Sequence, residues 1–173
     1  MYDNNNLVLT TNIIIMKEPQ VTIKNLKSFR GMEGLGFNAN IYVNGVKTMF
    51  AIDGGNGGQC DYEVIKGQES NVQLIKDWVK SISKGKDSDM EMDMYIAGKV
   101  DEHENLKKLA KLMAKAIVFG VPDGKSYRFF NFKKPLSGVP LIIVQSTVNK
   151  AKRSLKAGEV ILNKNLIELG VKL

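Results

Sequence analysis

Residues 37–58 read FNANIYVNGVKTMFAIDGGNGG, and the dipeptide Asn44-Gly45 near their centre divides two runs in which apolar and polar residues alternate. A two-residue loop of this composition suits a type I′ turn, because Asn and Gly both tolerate positive φ. Centring the turn there predicts the pairs Val43 with Val46, Ile41 with Thr48, Ala39 with Phe50 and Phe37 with Ile52. One face of the hairpin is then apolar along its length. The opposite face carries Asn38, Asn40 and Tyr42 against Ala51, Met49 and Lys47, a mixed surface suited to water or to a ligand.

Upstream, 21–28 reads as a third strand joined to the hairpin by the pliable RGMEGLG loop, which gives an antiparallel meander. Such a meander needs a cover for its apolar face. A helix opened by a Ser70/Gln73 capping pair supplies one, with Val72, Ile75, Val79 and Ile82 on one side and Leu74 and Trp78 beside them. The next stretch, DSDMEMDMY, alternates strictly and predicts a strand, with Asp87, Asp89, Glu91 and Asp93 on one face and Met90, Met92 and Met94 on the other. Asp101 and Glu104 then open a second helix along Leu106, Leu109, Met113, Ala116 and Ile117, closed by Gly120 and Pro122. SYRFFNF predicts another strand. Leu141, Val144, Val148, Ala151 and Leu155 keep helical spacing across 141–157, and we read helix there although Ile142-Ile143-Val144 favours strand. A short strand over 159–163 and a turn or short helix over 165–173 complete the chain.

The fold class is therefore α+β: a β-meander packed by helices, with a second helix-strand section that extends the sheet or forms a small lobe. Residues 21–173 make one domain, with any boundary between lobes near 83–88. Residues 1–20 are an extension, either an edge strand over 7–15 or a leader ahead of a second start at Met16.

At 173 residues the chain is long enough to bury a core without disulfides, and its one cysteine, Cys60, excludes an internal disulfide and fits a cytoplasmic setting. No export signal or membrane span is indicated. The net charge of +7 is unevenly distributed: through Gly120 fifteen basic residues balance fifteen acidic ones, and from Val121 onward ten face three. This asymmetry points to an acidic or polyanionic partner for the C-terminal third. Only three of the twenty-five basic residues are arginine. Any nucleic acid would be held by its backbone rather than read at base edges.

No set of residues reaches a catalytic signature, and none implies a metal or cofactor. Asp53-Gly54-Gly55-Asn56-Gly57-Gly58 tempts a phosphate-binding reading, yet no Gly-Lys-Ser/Thr follows, so a bulged exit from the hairpin is preferred. The acidic run could hold a cation or guard a strand edge, and the second role is preferred. His103 reads as an exposed bystander, and Cys60 as a small buried hydrophobe. Alternation sets Arg128, Phe130 and Phe132 against Tyr127 and Phe129, so at least part of this aromatic group belongs to the core and part could stack on bases.

The segments IKNLKSF, GFNANIYVNGVK, IDGGNGG and DYE, within 21–63, resemble small uncharacterised accessory proteins of tailed bacteriophages, with the motif at 37–47 and 54–58. The resemblance implies a phage origin and a site of action in the host cytoplasm. Proteins of that kind commonly inhibit a host protein or defence system, or sequester a nucleotide signal. The motif is structural and transfers no functional residue. The expected function is a non-catalytic binding protein acting on a host protein. Alternatives are a backbone-directed nucleic-acid binder, or a nucleotide-binding protein using the Gly-rich loop; a homo-oligomer is also possible. The expected binding face is basic: Lys150, Lys152, Arg153 and Lys156, with Lys133 and Lys134. The hairpin face of Asn38, Asn40 and Tyr42 and the Gly-rich loop are secondary candidates.

Overall fold

A computed structural model describes residues 17–83, 88–122, 124 and 126–173. The edge strand or leader expected within residues 1–20 lies almost wholly outside them. The fold is α+β, and the chain divides into two compact units, one through Asp101 and one from Glu102.

The first unit holds a four-stranded antiparallel sheet of β1 (Val21–Arg30), β2 (Leu35–Val43), β3 (Val46–Asp53) and β4 (Asp61–Val64), paired in sequence order. The meander therefore has a fourth strand that the sequence reading did not include. Asn44 (φ 50°) and Gly45 (φ 85°) form the expected turn, and Val43 pairs with Val46. The remaining pairs differ from expectation. A bulge at Thr48 shifts the register, so that Ile41 pairs with Met49, Ala39 with Ala51 and Phe37 with Asp53. One extra residue turns every later side chain of that strand over. Met49 and Ala51 enter the core, and Phe50 and Ile52 move to the face of Asn40 and Asn38. Thr48 is itself fully buried, and its hydroxyl donates to the Val46 carbonyl at 3.1 Å.

The core face is covered by α1 (Glu69–Ile82) and the first half of α2 (Ser88–Met113). In α1, Ile75 and Val79 are buried, whereas Ile82 and Leu74 are exposed. The Ser70/Gln73 capping pair does not form: the helix begins at Glu69, its end has no side-chain cap, and Gln73 bonds Asp77 instead. The expected strand around 87–94 is also replaced. From Ser88 the chain is helical, with Met92, Ile96 and Val100 one turn apart in the core and Met90 and Met94 exposed. A two-residue alternation over so short a window is outweighed by the four-residue spacing that continues beyond it. Asp89, Glu91 and Asp93 therefore share no strand face, and Asp87 lies outside the described residues.

Asp101 and Glu104 stand inside α2 and open nothing, and the division between units falls within this helix rather than near 83–88. The helix ends at Met113, well short of Gly120. Ala116, Ile117, Val118 and Phe119 belong to β5 (Ala116–Gly120), buried at every position. A β-branched run enclosed on both sides favours strand over the helix that its spacing suggested. The second unit pairs β5 with β6 (Tyr127–Asn131) on one side and β7 (Val160–Ile161) on the other, both antiparallel, as a sheet of its own. Against it packs α3 (Leu141–Arg153) through Val144, Val148 and Ala151, joined by Leu136 and Leu166. Leu141, read as part of that stripe, is instead exposed. Asn163, almost fully buried, ties this unit together: its Oδ1 accepts from the Val118 amide at 2.6 Å and its Nδ2 donates to the Met113 and Ala116 carbonyls. Among the described residues no helix is long and apolar enough to cross a membrane.

Candidate functional site

The second unit contains fourteen Lys/Arg against five Asp/Glu, a net charge of +9, and the remainder of the chain is −2. Helix α3 concentrates part of this charge. Its buried Val144, Val148 and Ala151 fix the inward face, so Lys150, Lys152 and Arg153 in the last turn stand outward, and Lys156 follows just past the end; all four are exposed. Cations suit a helix C-terminus, where the carbonyl dipoles converge. No carboxylate among the described residues lies within ion-pair distance of Lys150, Lys152 or Arg153. The Lys150 ammonium rests 5.1 Å from the Phe130 ring centroid, which links the helix to β6. Lys133 and Lys134 are exposed in the turn after β6.

Arg128 has a different role from these lysines. It is bonded to Glu159, donates to the Ser154 carbonyl at 2.7 Å and lies 4.7 Å over the Phe119 ring, bracing β6 against the segment after α3. Glu159 also accepts from the Lys156 amide at 2.7 Å. Arg128 first, and then that amide, hold its carboxyl below the usual carboxylate range. Phe130 and Phe132 pack on the core, as their parity with Arg128 requires, while Tyr127 and Phe129 are exposed.

The secondary candidates belong to the first unit. Asp53 Oδ1 accepts from the Gly55 amide at 2.8 Å, and the Gly55 carbonyl accepts from the Glu33 and Gly34 amides at 2.9 and 3.0 Å. The loop of Gly54, Gly55, Asn56, Gly57 and Gly58 is thus clasped to the turn between β1 and β2. A carboxylate already occupies the Gly55 amide, which disfavours an incoming phosphate there. Asn38, Asn40 and Tyr42 share the sheet face away from the core, now with Phe50 and Ile52. Lys24 stands 4.2 Å above the Tyr42 ring, and Asn38 Oδ1 is buried with no hydrogen-bond partner among the described residues.

One arrangement was not anticipated from sequence. Asp93 on α2 accepts from the Tyr62 hydroxyl at 2.8 Å and from the Cys60 amide at 3.1 Å, beside a cleft of about 280 Å³ that Val64, Val72 and the Lys76–Asp89 pair also line. Cys60 is half-buried rather than fully enclosed. Burial is the main cause that pushes its thiol up to about 11, so it is protonated at neutral pH and a poor nucleophile. Burial also raises the Tyr62 phenol, which stays a donor to Asp93. Cys60 and His103 belong to different units. His103 is shifted down, first by burial and then by Lys107, with Glu104 opposing. Among the described residues no three His, Cys, Asp or Glu side chains gather as a metal site.

Comparison of the chain with protein-family models, with curated proteins and with solved structures gives no match in any of the three.

Proposed function

We propose that this chain is a non-catalytic binding protein, phage-encoded, which inhibits a host protein by docking the basic end of α3 on an acidic surface. The observation that supports it is the placement of Lys150, Lys152 and Arg153: an anchored helix presents three cations with no carboxylate of the described residues in reach, in a unit of net charge +9. Exposed cations of this kind accelerate encounter with an acidic partner and select against basic ones. The resemblance of 21–63 to phage accessory proteins supports the host as the source of that partner.

The test is capture from bacterial host lysate on immobilised wild type and on the variant K152E/R153E/K156E. Exposed substitutions of this sort change stability by only about 0.5 kcal/mol, so the variant should stay folded. A host protein retained by the wild type and lost by the variant is the expected result. Equal retention by both would remove α3 from the interface.

A further inference from the structure

β6 is the outer strand of its sheet, and its two side-chain rows differ in exposure, while Val118 and Ala116, paired with Phe129 and Asn131 on one of these faces, are fully buried. Arg128 and Phe130 turn toward the packed core beneath α3, whereas Tyr127 and Phe129 remain 40% and 48% exposed. Asn131 continues their row and is exposed as well. Two large aromatic side chains on one strand face are costly to leave in water. Tyr127 pairs across the strand with Gly120, so no side chain stands opposite its ring, and the next residue in that row, Val160, is also exposed. Two lysines follow the strand, Lys133 and Lys134, both exposed, whereas Lys115, whose carbonyl accepts from the Phe132 amide at 2.8 Å, stands in the row of Arg128 and Phe130.

We propose that this outer face of β6 binds single-stranded nucleic acid. Bases stack on Tyr127 and Phe129, the Asn131 amide faces a base edge, and Lys133 and Lys134 take the phosphates. Charge complementarity selects a polyanion, since the unit carries +9. Geometry selects a single strand: same-face residues on a strand stand about 7 Å apart, twice the roughly 3.4 Å step of a duplex strand. Bases resting on both rings are therefore unstacked from each other, which a duplex does not allow. Lysines in place of arginines make the contact directed to the backbone and weakly selective in sequence. This inference does not depend on the protein partner proposed for α3, because it rests on the other row of β6.

The test uses the full chain and a labelled oligothymidylate of about twelve nucleotides, with a duplex of equal length beside it, followed by fluorescence anisotropy at low salt. The single strand is expected to bind more tightly than the duplex. Tyr127→Ala and Phe129→Ala should each lower affinity by roughly 5- to 100-fold, the loss of one stacked base. Phe129→Leu should lower it too, because it keeps apolar area and loses the flat ring. Lys133→Ala should reduce the salt slope by about 0.7. Circular dichroism checks that each variant is folded. No binding of the single strand at low salt, equal binding of the duplex, or full affinity in Phe129→Leu would overturn the proposal.

Discussion

Gly31 shows how closely the two glycine loops of the first unit are pressed together: a Cβ there would stand 2.4 and 2.5 Å from the Gly54 and Gly55 carbonyl oxygens. Backbone cannot yield as a flexible side chain would, so Gly31→Ala is expected to cost about 1–3 kcal/mol. Gly34→Ala, with nothing within 4 Å of the new methyl, should be close to neutral. Thermal melting of the two variants checks the clasp. At the hairpin, Gly45 has φ 85°, and Gly45→Val should cost more than about 1 kcal/mol. An unchanged melting temperature would contradict that turn. Cys60 gives a pH prediction. Its folded pKa is raised to about 11, above an unfolded value of roughly 8.5, so its contribution to stability is complete below the unfolded value and is lost as pH rises through the folded one. Alkylation of the native thiol should be slow at pH 8 and accelerate toward pH 11, and Cys60→Ser should flatten stability over that window. The Asn44-Gly45 turn was legible in sequence because its chemistry is contained in two residues. The bulge at Thr48 was not, since it is decided by what Met49 meets across β2 and β4, and the Cys60–Tyr62–Asp93 contact joins residues more than thirty positions apart.

At the level of elements, α3 was legible and α2 was not, for the same physical reason. Val144, Val148 and Ala151 repeat at helical spacing, although the helix stops at Arg153, short of the expected end at 157, and leaves Leu155 beyond it. In α2 the corresponding repeat, Met92, Ile96 and Val100, runs across the junction at which a strand and a second helix were separated. β5 was misread in the opposite sense, because Ala116 and Ile117 continue the spacing of the helix before them and only burial on both faces identifies the strand. Glu102→Pro discriminates the two readings of α2. Proline is accepted at the first position of a helix opened by Asp101, whereas inside a continuous helix it costs about 3 kcal/mol or more. Helical content and melting temperature should both fall, and a neutral result would mean that a helix starts there.

For the whole molecule, the charge asymmetry was legible by counting, and the α+β class by the hairpin and the helical repeats. The division into units was not, because the helix that crosses it has no interruption in sequence at Asp101 and Glu102. Assigning fourteen basic residues to one unit sharpens the reading of the C-terminal third, since Lys107, Lys108, Lys111 and Lys115 join the ten that follow Gly120. The basic candidates divide by element, with Lys150, Lys152 and Arg153 on α3, Lys156 after it, and Lys133 and Lys134 after β6. The Gly-rich loop and the Asn38, Asn40 and Tyr42 face belong to the other unit. The most direct test of the binding role proposed for α3 is amide hydrogen exchange on the full chain, free and bound to the host protein that it captures. The account predicts slower exchange in the bound state over 148–158, with 38–42 and 53–64 unchanged. Protection confined to 38–42 or 53–64, with 148–158 exchanging as in the free chain, would contradict it.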